Sequence, residues 1–292
     1  MRNGVSKCAW CPDPFMNSLR ILGFIALILL IIYFLIWFNI RKTKESEASI
    51  LGKIFTNYIH SITATSNFNF AYPQFIKDSM EPAKQVGASQ DTMLSWDCFI
   101  DDFAMGIFAD SNFIRKAVLS FLLPVAIIAF FVSIFLIYKF FRRSSQLKRN
   151  IVISLITIIY FMHPSITEKT LSMFRCTTVY EDSRLLYDLE LKCWVGQHRV
   201  WALGLALPML ILCYSFPVVG IVGLTWKRAQ LRRKHFRMYF LILYQGMRSN
   251  RYYWEFVNVI RKIMLLMISV FIPQEMTFYK LVAGFSFLVA FL

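Results

Sequence analysis
Acidic residues are scarce in this 292-residue chain: 17 Asp and Glu stand against 32 Lys and Arg, a formal net charge of +15. So lopsided a balance raises nucleic acid as a partner. The bases, however, lie beside long apolar runs, which is where inner-face charge of a membrane protein collects, and nucleic acid is set aside. Histidine is rarer still. His60, His163, His198 and His235 are scattered, with no HExxH or triad-like setting. There is no P-loop, no GxGxxG and no GxSxG, so the usual phosphate-cradling and nucleophile-bearing turns are missing. No enzyme, cofactor or metal site is expected. Internal repeats, Gly/Ser linkers and low-complexity runs are lacking too, which excludes solenoids and tethered modules.

What the chain has in excess is apolar surface. Apolar residues make up 57% and aromatics 17%, against about 45–50% apolar in soluble domains. Membrane spans absorb such an excess at about 20 residues each. Apolar runs cover residues 21–40, 117–138, 151–164, 200–226, 256–273 and 278–292. Pro124 predicts a kink and Pro164 predicts the end of its run. The last run is cut off at "VAFL", which reads as a span whose continuation is absent. Residues 1–19, with "CAWC" at Cys8 and Cys11, read as the end of an extracellular Cys-rich region. A redox or zinc role for that motif lacks the surrounding fold or the further ligands it needs.

Charge decides whether residues 50–70 cross. Three connections are basic: 41–44, 139–149 and 227–237. Two are acidic or balanced, 69–112 and 165–198, the first holding Asp78, Glu81, Asp91, Asp97, Asp101, Asp102 and Asp110 against Lys77 and Lys84. With basic loops inside, parity holds from residue 117 onward and requires one more crossing between 41 and 112. Residues 50–70 are the available segment, despite Lys53, Asn57, His60, Ser61 and Thr63. The expected fold is therefore an all-α polytopic bundle of about seven transmembrane helices, with the amino terminus outside. Cys8, Cys11, Cys98, Cys176 and Cys193 then share the oxidising side. Cys98 leaves three pairings open among itself, Cys176 and Cys193, and Cys176–Cys193 is preferred because both fall in one short loop. Asp97, Asp101 and Asp102 read as solvated surface charge.

Polar side chains inside a span face the bundle or a water-filled path. On a helical wheel Asn57, His60 and Ser61 share a face, as helix-packing or pathway candidates, opposite Phe55, Ile59 and Ile62. Residues 227–256 hold a basic cluster, Arg232, Arg233, Lys234 and Arg237, ahead of "MYFLILY", which is too short to cross. A basic amphipathic helix lying on the inner face is the physical reading, with anionic lipid as its partner; the alternative is plain positive-inside orientation charge. In "RYYWEFVNVIRKIM", Arg251 can pair with Glu255 one turn on. Glu255, Asn258, Arg261 and Lys262 form a candidate coupling cluster with that basic helix. The alternative is an orientation anchor whose bases snorkel back to the inner interface.

The order of "CxxC", "ILGKIFTNYIHSI", "SWDCFI", "FMHPSITEKTLSMFRCTTV", "YDLELKCW" and "YYWEFVNVIRKIM" resembles the carboxy-terminal membrane region of large surface proteins of single-celled eukaryotes. That region is similar to the TRP-like domain of fungal transient-receptor-potential-type proteins. The resemblance covers nearly the whole chain. It implies a Cys-rich ectodomain ahead of a polytopic bundle in the plasma membrane, and a cation channel or channel-like sensor subunit, with a homo-oligomer as a possible assembly. The alternative is a non-conducting anchor for an adhesive or structural ectodomain.

Overall fold
Asp13 and Pro14 start the first helix. The aspartate side chain accepts the Met16 N–H at 3.3 Å, and proline takes the first helical position, where no N–H is needed. The computed structural model describes residues 13–41, 47–66, 73–75, 111–142, 146–231, 233–248, 250–272 and 276–290. The helices α1 (Pro14–Arg41), α2 (Glu47–Ser66), α3 (Asn112–Arg142) and α4 (Leu147–Ser172) come first. Strands β1 (Cys176–Val179), β2 (Asp182–Leu185) and β3 (Asp188–Lys192) follow. Then come α5 (Gly196–Trp201), a π-turn at Ala202–Ala206, α6 (Leu207–Trp226), α7 (Lys234–Tyr244), α8 (Trp254–Phe271) and α9 (Thr277–Ala290). The π-turn lies directly ahead of Pro208, whose ring crowds the carbonyl four residues back and which has no N–H to offer it. The rod therefore continues unbroken over Gly196–Trp226.

Among the described residues, four helices are long and apolar enough to cross a membrane: α1, α3, α4 and the Gly196–Trp226 rod. Length and composition thus account for four of the expected seven. α2 carries Lys53, Asn57 and His60 within 20 residues, α8 carries Glu255, Arg261 and Lys262 within 18, and α9 has 14 residues. Pro164 does not end its helix, a correction to the 151–164 boundary, because α4 runs on to Ser172. A proline inside a helix removes one donor, and packed neighbours hold such a helix together.

α4 is the middle of the assembly and packs against α1, α3, α6, α7 and α8. Of its apolar window 39% is buried, against 17% for α1, which separates a central helix from a peripheral one. One apolar cluster joins Ile32 and Ile36 of α1, Ile127 and Phe131 of α3, and Ile158 and Met162 of α4. Another joins Leu171 to Leu265, Leu266 and Val270 of α8. The hydroxyls along α4 do not disturb these contacts. Ser154, Thr157, Thr167 and Thr170 each donate to the carbonyl four residues back, which satisfies them within the helix. Large apolar side chains on the opposite faces, such as Leu22, Val125, Leu212 and Val219, are exposed, as a lipid-facing surface requires.

The sheet departs from the all-α expectation. It is antiparallel, in the order β1-β2-β3, with Cys176 opposite Leu185 and an irregularity at Arg184/Leu185. Cys176 and Cys193 are disulfide-bonded across it. His198 clamps its base: Nδ1 accepts the Trp194 N–H at 3.0 Å, so Nε2 carries the proton and donates to the Met173 carbonyl at 3.0 Å. Ser111 caps α3 and donates to Asp188 Oδ2 at 2.6 Å, while Phe113 stacks on Tyr187, tying the sheet to α3. At the outer edge, hydrogen bonds from Lys192 and then Arg184 hold the Asp182 carboxyl below its ordinary range. Cys8, Cys11, Cys98, Asp97, Asp101, Asp102 and Arg232 lie outside the described residues, as does the Lys234 side chain.

Candidate functional site: a buried polar cluster between α2, α4 and α8
Lys53, Asn57 and His60 stand at i, i+4 and i+7 on α2, one face of a 3.6-residue period. Leu51, Ile54, Phe55 and Tyr58 of α2 are exposed; of the residues the wheel sets opposite, Phe55 is exposed, Ile59 is half-buried, and the Ile62 side chain lies outside the described residues. The polar face meets Tyr160 of α4 and Glu255 and Lys262 of α8. Glu255 is 1% exposed and Lys262 3%. Charges so deep persist only when paired and hydrogen-bonded.

Each group has a definite partner. Lys53 Nζ lies 2.8 Å from Glu255 Oε2. That oxygen's partner is the Lys53 ammonium, a charge-assisted contact. Glu255 Oε1 accepts from Asn57 Nδ2 at 3.1 Å and from the Tyr160 hydroxyl. Asn57 Oδ1 accepts from Lys262 Nζ at 2.6 Å and lies 2.8 Å from the Tyr160 hydroxyl, which shares its single proton between amide and carboxylate. This amide orientation satisfies the carboxylate and the ammonium together, so the network fixes it. Lys262 Nζ also meets His60 Nδ1 at 3.3 Å, and because ammonium can only donate, His60 accepts there. Its ammonium further lies 5.4 Å from the centre of the Tyr160 ring.

Lys53 extends the network to α7. Its Nζ donates to the Ile242 carbonyl at 3.1 Å, in the last turn of α7, where helix carbonyls lack intrahelical donors and carry partial negative charge. The same turn is fitted to α2. A Cβ on Gly246, at φ 79°, would stand 3.2 Å from the Ile50 side chain, so this position needs glycine twice over. One ammonium therefore joins α7, α2 and α8.

The structure brings Asn57, His60, Glu255 and Lys262 together, although the wheel and the charged entrance nominated them separately. Ser61 turns back and donates to the Asn57 carbonyl at 2.9 Å. Asn258 and Arg261 are half-buried on α8 and, among the described residues, hydrogen-bond to no member of the cluster. Glu255 pairs with Lys53 instead of Arg251, which donates to the Tyr253 hydroxyl and lies over Trp254. Lys262 is buried, with Asn57 and His60 as its two acceptors. Arg233 is exposed and Arg237 half-buried at the start of the amphipathic α7. Lys53 and Tyr160 were missed as site residues. The signal for Lys53 is its place four residues before Asn57; Tyr160 had none beyond its position in a polar stripe on α4.

One further contact repairs what proline removes, and another satisfies a helix end. Pro217 cannot donate to the Cys213 carbonyl four residues back, and His163 Nε2 donates to it at 3.0 Å. The buried Lys280 donates at 2.9 Å to the Ser269 carbonyl in the last turn of α8, where carbonyls lack intrahelical donors.

No family model matches the chain, and no solved structure does. A protein described as Cysteine repeat modular protein A, from Toxoplasma gondii, is 21% identical over 333 aligned residues. The alignment takes in 90% of this chain, which spans 11% of that relative's length.

Proposed function
We propose that the chain is a multi-pass region of a plasma-membrane protein, acting as a TRP-like channel or channel-like sensor subunit in which α7 passes movement on the inner face to the bundle. The observation that supports this is Lys53 Nζ, held between the Ile242 carbonyl of α7 and the Glu255 carboxylate of α8. A displacement of α7 cannot leave that ammonium in place without straining an ion pair that is 12% and 1% exposed in its side chains. α2 and α8 are the additional crossings in this reading. Their polar faces turn to each other, which lets segments too polar for lipid lie at membrane depth.

Two measurements test it. Cysteine placed at Glu181, in the exposed β1–β2 turn, should react with an impermeant maleimide on intact cells; reaction only after permeabilisation overturns the sidedness. In protein delivered to the cell surface, Lys53→Met should shift the stimulus dependence of ionic current, and Arg261→Lys should not. No current from a correctly delivered protein favours the second reading, a non-conducting anchor. What speaks for the anchor is the length of the relative: a segment matching about a tenth of a much longer protein suits a membrane base for an ectodomain.

A further inference from the structure
A cavity of about 280 Å³ opens between α1, α2, α4 and α7, directly beside the Lys53–Glu255 pair. Its upper walls are apolar, from Ile31 and Phe34 of α1 and Ile156 and Phe161 of α4. Its other end is polar, with Asn39, Gln245 and the Lys53–Glu255 pair. From Ile31 to Asn39 the helix rises about 12 Å, so the cavity is an elongated slot with chemically distinct ends. A small cleft lined by Arg237 adjoins the polar end and shares Phe38, Asn39, Ile242 and Gln245 with it. Arg149 reaches the same level and donates to the Ile40 carbonyl at 3.2 Å.

We infer that this slot binds one acyl chain of an anionic phospholipid of the inner leaflet, with the phosphate held at the Lys53, Gln245 and Arg237 end. The inference rests on the membrane reading above. Two features select the occupant. An apolar slot beside lipid-exposed helices takes a hydrocarbon chain from the bilayer at little desolvation penalty. The charge of the polar end then chooses the headgroup. Lys53 and Lys262 face the single carboxylate of Glu255, leaving one formal positive charge in the cluster, and Arg237 and Arg149 add to it. Lys53 uses two of its three donors, on Glu255 and Ile242, which leaves one for a phosphate oxygen. The occupant would touch α7 and Lys53 together, so its binding would bear on the link between the inner-face helix and the bundle.

The test uses the whole chain in liposomes with two photoactivatable probes, phosphatidic acid and phosphatidylcholine, each carrying a diazirine in one acyl chain. Phosphatidic acid should label peptides containing Ile31–Phe38 and Ile156–Phe161 about fivefold more than phosphatidylcholine does, the ratio equivalent to one base near an anionic headgroup. Gly52→Leu should abolish that labelling, because Gly52 lines the slot and leucine would fill it. A Cβ there meets nothing within 4 Å, and leucine is the better helix former, so the variant keeps its fold. Labelling of the exposed α6 face at Leu212 and Val219 should not change. Arg237→Gln should bring phosphatidic acid down to the phosphatidylcholine level.

Even labelling over all lipid-facing helices, or labelling indifferent to Gly52→Leu, overturns the site. Equal labelling by both probes overturns the anionic headgroup. Alkaline carbonate extraction of the same preparation separates the two readings. Release of the protein fails the membrane reading, whereas retention without slot labelling fails the inference alone.

Discussion
Glu255→Ala strikes the cluster at its one acceptor of negative charge. The carboxylate is buried and serves Lys53, Asn57 and Tyr160, and Lys262 is bound to the same Asn57. Removing one partner of a buried ion pair destabilises by about 3–5 kcal/mol, because the remaining charge is left uncompensated. Here two ammoniums lose their counter-charge, so the upper end of that range is expected. Lys53→Met is milder, about 2–3 kcal/mol, because Glu255 keeps Asn57, Tyr160 and the neighbouring Lys262. A cycle of Lys53→Met, Glu255→Gln and the double variant measures the pair itself. The double variant should be more stable than the sum of the singles predicts by about 1–3 kcal/mol, since it removes both charges and leaves an amide that still accepts from Tyr160. Helical circular dichroism during denaturant or thermal unfolding in mild detergent provides the readout. Additive losses across the cycle would refute the claim that these residues act as one unit. A Glu255→Ala loss under about 1 kcal/mol would place the carboxylate in water and not in a buried network.

Gly220→Ala should destabilise by about 1–3 kcal/mol, because its Cβ would overlap the ring of buried Phe256; Phe256→Leu in the same chain should relieve the loss. Replacing Cys176 and Cys193 by serine should cost the hairpin about 3 kcal/mol on the loop-entropy model, seen as faster proteolysis between them, while equal proteolysis rates would deny the bridge that role. His163→Leu should lose about 1–3 kcal/mol by orphaning the Cys213 carbonyl, and much less in a Pro217→Ala background, where residue 217 supplies the N–H; an equal loss in both backgrounds would reject the repair.

Charge and hydropathy along the chain were enough to nominate Asn57 and His60, because polar side chains in an apolar helix have few places to go. Glu255 and Lys262 were equally visible as charges at a span entrance. Their partners were not. Arg251 stands one turn from Glu255 in sequence, whereas Lys53 is on another helix far earlier in the chain, and periodicity carries no information on which helices become neighbours. Pro164 misled for a different reason: the rule that proline ends a helix comes from helices in water, and α4 is held by five neighbours. The sheet escaped notice because its strands are four or five residues long and only partly alternate, with a single fully buried apolar side chain, Leu185. Its disulfide was legible from the closeness of Cys176 and Cys193 and their shared side.

The cluster also constrains how the chain reaches this arrangement. If α2 and α8 cross as proposed, Lys53, Asn57 and His60 enter the membrane with α2, before α4 and well before α8 has been made. Until Glu255 and Lys262 arrive, α2 presents an ammonium and two polar groups to whatever surrounds it, and hydrocarbon is the most expensive choice. α2 alone therefore belongs at the interface, where its exposed apolar face can rest in lipid and its polar face in water. Tyr160 cannot neutralise Lys53, so α4 gives α2 packing but no counter-charge. Only α8 brings the carboxylate, and it brings a second lysine whose acceptors are on α2. On that reading neither helix is stable at depth without the other, whereas both are satisfied once joined. The polar residues that disqualify α2 and α8 as independent spans are thus the same ones that specify their pairing.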